Sequence, residues 1–258
     1  MKKLTVLLFL LLSFLVPVAT LLYLSFSVQW YYPSIIDHPF TTEHWTWYLS
    51  GGSELLRSTV LSVLLSITVS ALSVICGFFA SRAIAYYTRS RWWVVSAYFP
   101  YVIAPVVLAV MLNYYFLQLQ LSGTVGGVII AQFLITFPYA IIFFYGFWNT
   151  EMRNLEGLVS TMGGSFFTIV KHALFPSARG LLTICFFQCY LISWFEYGLT
   201  QFIGVGKVQT LTVMVYRYVS EANPYLAALA GVLLVIPPVL LLITNRKYLL
   251  QNVWAPQS

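Results

Sequence analysis

Little in this chain of 258 residues is equipped for acid, base or metal chemistry: seven Asp and Glu, three His and three Cys are spread along it. No H-E-x-x-H, no G-x-S-x-G and no pair of carboxylates at catalytic spacing occurs. The stretch Ile203 to Thr210, IGVGKVQT, invites comparison with a phosphate loop, whose glycines let backbone N–H groups cradle phosphate oxygens. It fails twice: Gln201 stands where the first glycine is required, and Val208 follows Lys207 where a hydroxyl residue must hold magnesium. His38 and His44 are six apart, a spacing that suits neither one helical face nor a compact ligand pair. Cys185 and Cys189 are one helical turn apart and could in principle share a metal, but inside an apolar run thiols serve as small hydrophobic side chains, as does Cys76. The expectation is a chain with no catalytic residue, no metal and no cofactor of its own.

The remaining polar candidates sit inside or beside apolar runs. Asn113, Gln132, Thr136 and Gln188 could line a polar path or bond a neighbouring helix. Glu196 stands next to an apolar run, where an unpaired charge costs about 2.5–3.5 kcal/mol at mid-bilayer. It must face water, a partner or the protein interior; the open roles are binding a cation, orienting a gate and capping a broken helix. The segment from Tyr197 to Pro224 is too polar for a simple span and too apolar for a loose loop. A re-entrant or gating segment is expected there, with a gate between Glu196, Tyr197 and Thr210.

A second polar stretch, Glu151 to Pro176, has a helical pattern. Leu155, Leu158, Val159, Met162, Phe166, Ile169 and Ala173 form one stripe at helical spacing. Gly163-Gly164 interrupts the stripe, and Pro176 is expected to end it, giving two short helices joined at a glycine bend. A helix outside a bilayer needs a surface for its apolar face, supplied by another protein, by its own chain or by lipid headgroups.

The elements that must position these residues are set by composition. Hydrophobic residues make up 60% and charged residues 8%, and mean hydropathy is +0.85, far from a soluble domain, in which about a quarter of residues are charged. An all-α polytopic membrane bundle follows, with six spans expected at Leu4–Phe26, Leu56–Ala80, Trp93–Phe116, Val125–Phe147, Gly180–Phe195 with its flanks, and Tyr225–Thr244. The first, despite its likeness to a signal peptide, runs on past Leu21 to Phe26 and reads as an uncleaved anchor. With six spans, Lys2, Lys3, Arg82, Arg89, Arg91, Arg153, Lys171, Arg179, Arg246 and Lys247 fall on one side, and Arg57, Lys207 and Arg217 on the other. Basic residues concentrate on the cytoplasmic side, so both termini and the 151–176 insert are expected there. The +6 net charge thus reflects topology, and no basic patch interleaved with stacking aromatics points to nucleic acid. Trp30, Tyr31, Tyr32, Trp45, Trp47 and Tyr48 cluster like an interfacial belt, and Ser58, Ser62, Ser66, Ser70 and Ser73 give the second span small residues that let helices approach closely or bond across an interface.

The chain resembles the permease subunits of type I bacterial ATP-binding-cassette importers, those fed by an external binding protein. Their signature is an acidic residue and two alanines, then a glycine, then an apolar residue and proline, with the proline thirteen residues beyond the glycine. Here Gly163 precedes Phe175-Pro176 at that spacing, while Leu158 and Val159 replace the alanines and Gly157 takes the acidic position, with Glu156 one residue early. Gly77 and Ala80 also stand where the family pattern has them, and Glu196-Tyr197-Gly198 with Thr210-Leu211 is similar to the branch carrying oxyanions, ferric iron, thiamine or polyamines. The resemblance implies one transmembrane domain over residues 1–258, with an anchor at 4–26, core helices within 56–244 and a coupling segment at 151–176. Glu156, Gly157, Leu158, Val159, Met162, Gly163, Gly164 and Pro176 would couple to ATPase subunits. Partners would be a second permease subunit, identical or related and more in keeping with a heterodimer, two ATPases that hold ATP and magnesium, and an extracytoplasmic binding protein. An ion-coupled secondary transporter should instead show inverted repeats and midplane charges, and a membrane-embedded enzyme clustered acids or histidines; the sequence has neither.

Overall fold

The computed structural model describes residues 2–28, 40–51, 53–88 and 91–253. Among them the regular structure is helical, apart from one isolated bridge between Ser27 and Phe40. In order come α1 (Lys2–Ser25), α2 (Glu43–Leu49), α3 (Glu54–Ala83), α4 (Arg91–Ala97), α5 (Phe99–Val102), α6 (Pro105–Gln118), α7 (Val125–Tyr145), α8 (Thr150–Thr161), α9 (Phe166–Ile169), α10 (Phe175–Trp194), α11 (Gly198–Gly204), α12 (Leu211–Ser220) and α13 (Pro224–Val253). Short π-helical turns, Ile84–Thr88 and Val170–Leu174, extend α3 and join α9 to α10.

Four helical runs are long and apolar enough to cross a membrane: Glu54–Thr88, Val125–Tyr145, Phe166–Trp194 and Pro224–Leu241. Two further expected spans fall short of that length, the described apolar part of α1 being Leu15–Ser25 and that of the third being Pro105–Gln118. The expected third span, Trp93–Phe116, is broken into α4, α5 and α6. Its prolines explain the break. Pro105 opens α6, and Ala104 before it is extended at φ −59°, ψ 136°, because a residue preceding proline is pushed out of the helical region. Pro138 by contrast is carried inside a continuous α7.

Pro176 does not end the helical stripe of the 151–176 insert, as the sequence suggested. It lies in the first turn of α10, within a helical run that continues from Phe166 to Trp194. Proline removes one N–H and crowds the carbonyl four residues earlier, and the π-turn just before it, with Phe175 N–H reaching back to Val170 O, widens the helix there. The fifth span is accordingly longer at its start than Gly180.

By internal contacts the chain divides into two units, residues 1–62 with 209–242 and residues 63–208 with 243–258. In the first, Val18, Leu21 and Leu22 of α1 face Val232, Val235 and Ile236 of α13, Phe26 stacks on Trp45 and His44 on Tyr225. Arg217 of α12 bonds Glu221 and Glu54, and these two carboxylates, Glu221 foremost, push its pKa up. Tyr48 is buried and Trp47 exposed, while Trp30, Tyr31, Tyr32, Asp37, His38 and Arg89 lie outside the described residues, as do the side chains of Lys2, Lys3, Arg91, Arg246 and Lys247.

The second unit holds a core of Val74, Phe78, Ala140, Phe144, Trp148, Leu174, Cys185 and Cys189 from α3, α7, α10 and their joints. Cys185 and Cys189 are fully buried in it, and no group of three metal-type side chains occurs among the described residues. Close approach of α3 to α7 depends on Gly77, where an added Cβ would lie 2.5 Å from Ala140 Cβ and 3.2 Å from its carbonyl carbon. Backbone cannot yield as a flexible side chain can, so Gly77→Ala is expected to destabilise by about 1–3 kcal/mol, the range for overpacking. An unchanged melting temperature for that variant in detergent would refute this account of the contact.

Candidate functional site

Two constellations stand out, both within the second unit. The first is the helix-turn-helix made by α8 and α9. Asn149 caps α8, its Oδ1 accepting from Met152 N–H at 2.9 Å. At the other end Gly163 N–H donates to Ser160 O and Gly164 N–H to Val159 O, both at 3.0 Å. This is a Schellman closure, and Gly163 holds the left-handed residue it requires at φ +82°. Ser165 then caps α9.

The predicted apolar stripe divides between two faces. Leu155 and Val159 are half-buried and Ile169 and Ala173 buried, while Leu158, Met162 and Phe166 point outward at 60%, 81% and 55% exposure. Phe167 joins the outer group at 74%. The helix reversal at Gly163 thus leaves four large apolar side chains on the open side of an otherwise polar element. Gly157 is exposed beside them.

Glu156 is on the inner side. Its carboxylate accepts from Arg82 Nε at 3.1 Å on both oxygens and from Nη2 on Oε2, a forked ion pair in which the two side chains are only 16% and 8% exposed. The Arg82 guanidinium also lies 5.4 Å from the ring centres of Tyr86 and Phe166, and Arg153 lies 5.7 Å from that of Tyr86. This ties α8 to the end of α3. In the sequence Arg82 registers only as a topology charge, and no local pattern pairs it with Glu156, 74 residues away.

The second constellation is a chain of buried polar groups linking α3, α7, α10 and α11. Ser193 Oγ donates to Gln132 Oε1 at 2.5 Å, Gln132 Nε2 donates to Thr200 Oγ1 at 2.9 Å, and Thr200 Oγ1 donates to Glu196 Oε2 at 2.9 Å. The hydroxyls of Ser193 and Ser66 are 3.2 Å apart. Thr136 donates to the Gln132 carbonyl at 3.0 Å, so its 2.6 Å contact with Ser73 uses the Ser73 proton. Ser66, Ser73, Gln132, Thr136, Ser193 and Thr200 are all buried. Ser66 and Ser73, on the small-residue face of α3, thus meet hydroxyls of neighbouring helices as well as easing packing.

Of the three open roles of Glu196, the helix cap is the one its bonds show. Its oxygens accept from Leu199 N–H at 2.6 Å and Thr200 N–H at 3.0 Å, two donors of the first turn of α11. Both oxygens are engaged by protein donors, and the negative charge faces the positive end of α11. α11 packs on α6 and α7, so the stretch after Tyr197 is a short helix held inside its unit. Tyr197 immediately precedes it. Asn113 accepts from Ser122 at 3.5 Å, and Gln188 is exposed on α10, so neither belongs to the bonds just described. Thr210 is buried in the other unit, its Oγ1 without a partner.

No protein-family model matches the chain, and no curated protein matches it.

Proposed function

We propose that the chain is a permease subunit of an ATP-driven, type I importer, embedded in the bacterial inner membrane with both termini cytoplasmic. It acts with a second permease subunit, an external binding protein and two ATPases that hold ATP and magnesium. The observation that carries this reading is the outward row of Leu158, Met162, Phe166 and Phe167 on a capped helix-turn-helix whose other face is pinned to α3 by Arg82 and Glu156. An apolar row on a polar element suits insertion into a protein cleft, and the ion pair gives movement of α8 a route to a long apolar helix. The internal bonding of Glu156 also accounts for its position beside the family's acidic site: at 156 a carboxylate ties the element to its own chain, and the docking face is left to Gly157, Leu158 and Met162. The solute path in this reading is near α11, whose first turn the Glu196 carboxylate caps.

The test is co-purification with candidate ATPase subunits. Leu158→Asp is expected to leave the melting temperature unchanged, since Leu158 is exposed, and to lower binding-protein-stimulated ATP hydrolysis at least tenfold. Undiminished hydrolysis and intact complex formation by this variant would sink the coupling assignment.

A further inference from the structure

A cleft of about 400 Å³ opens between α3 and the run from α9 to α10. Phe79, Val170 and Phe175 line one end of it, and Ala71 and Phe186 the other. The two helical runs are antiparallel along it, since Phe79 meets Phe166 at a ring separation of 6.3 Å while Ser66 meets Ser193. The lining is apolar except for Thr183 and contains no acidic residue. In a bilayer such a cleft faces hydrocarbon, and its volume is in the range that holds a small ligand.

Two basic residues, neither of which lines the cleft itself, stand beside its lining in helical register. Lys171 follows the lining residue Val170, and Arg179 is one turn from both Phe175 and Thr183 on the same face of α10, with Thr183 Oγ1 donating to the Arg179 carbonyl at 2.8 Å. Helical Cα–Cβ bonds tilt toward the helix N-terminus, and Lys171 lies on that side of Arg179 along the same helical run. Both are exposed, and neither takes part in an ion pair among the described residues. Arg82, the other nearby cation, is neutralised by Glu156.

We infer that this cleft is a binding site for an anionic phospholipid, one acyl chain lying along Phe79, Phe175 and Phe186 and the phosphate meeting Lys171 and Arg179. Charge complementarity selects this occupant: basic pockets between spanning helices suit acidic headgroups, whereas a second copy docked symmetrically would bring the same two cations to the contact. The site does not depend on a role in import.

The experiment measures retention of phosphatidylglycerol and of phosphatidylcholine of equal chain length by the full chain in detergent, using native mass spectrometry. The wild type is expected to prefer phosphatidylglycerol. Lys171→Gln and Arg179→Gln, both at exposed positions, should each reduce that preference roughly fivefold, the effect of one basic residue at an anionic lipid surface. Ala71→Phe, which fills the cleft, should weaken both lipids alike. Equal retention of the two lipids by the wild type, or an unchanged preference in the double glutamine variant, overturns the proposal. So does a lipid-free dimer that Ala71→Phe dissociates, which would make a second copy the occupant.

Discussion

Glu156→Ala is expected to destabilise the chain by about 3 kcal/mol, because it strands the Arg82 guanidinium at a largely buried position. Removing one member of a buried pair costs more than the pair contributes, since the remaining charge loses both water and partner. The comparison that isolates this cause is the double variant Arg82→Met with Glu156→Leu, which removes both charges and keeps apolar bulk. It should recover most of the lost stability in thermal or urea denaturation. Arg82→Lys should fall between, because an ammonium cannot reproduce the fork that grips both carboxylate oxygens. In the importer reading the double variant is informative a second way: stability returns but α8 is no longer tied to α3, so ATP hydrolysis should persist while solute uptake falls. If the double variant is as unstable as Glu156→Ala, the guanidinium is not the source of the loss.

The second large effect is expected at Glu196. Replacing it with alanine leaves Leu199 N–H, Thr200 N–H and the Thr200 hydroxyl without their acceptor. Each unsatisfied buried donor costs about 1 kcal/mol or more, so a loss of about 3 kcal/mol is expected. Glu196→Gln keeps one acceptor oxygen but turns an amide NH₂ toward a donor, so its loss should be about half as great. The locus is as diagnostic as the size. Amide hydrogen exchange should speed up at Leu199 and Thr200 and through α11, while α8 and α9 stay protected. Faster exchange confined to α8 and α9 would show that the cap has been misplaced. Gln132→Leu tests the same network from its centre: it deprives Ser193 of an acceptor and Thr200 of a donor and should also loosen α11 without disturbing α8.

Much of the fold was legible because hydrophobicity acts along the chain. The runs at Leu56, Val125 and Tyr225 announce helices α3, α7 and α13, and Gly163 announces a reversal, since few other residues tolerate a positive φ. The third expected span was not legible: whether Pro100 and Pro105 kink a helix or divide it depends on where the freed carbonyls find partners. Pro138 gave the same sequence signal yet sits within an unbroken α7. Pro176 misled in the opposite direction, because a π-turn absorbs it.

Side-chain roles separate along the same line. A helical, membrane-compatible chain, a polar helical insert at 151–176 and a carboxylate at 196 in need of partners are all readable from residue order, because composition and periodicity are local properties. Where those partners lie is a matter of the three-dimensional fold. Arg82 is 74 residues from Glu156 and Gln132 is 68 from Thr200, so no local pattern could pair them. The fold likewise decided that the apolar stripe of the insert splits, with Ile169 and Ala173 turned into the core and Leu158 and Met162 turned out. Helical spacing places residues on a common face, but the packing of α8 and α9 on each other and on the following π-turn determines which part of that face is covered.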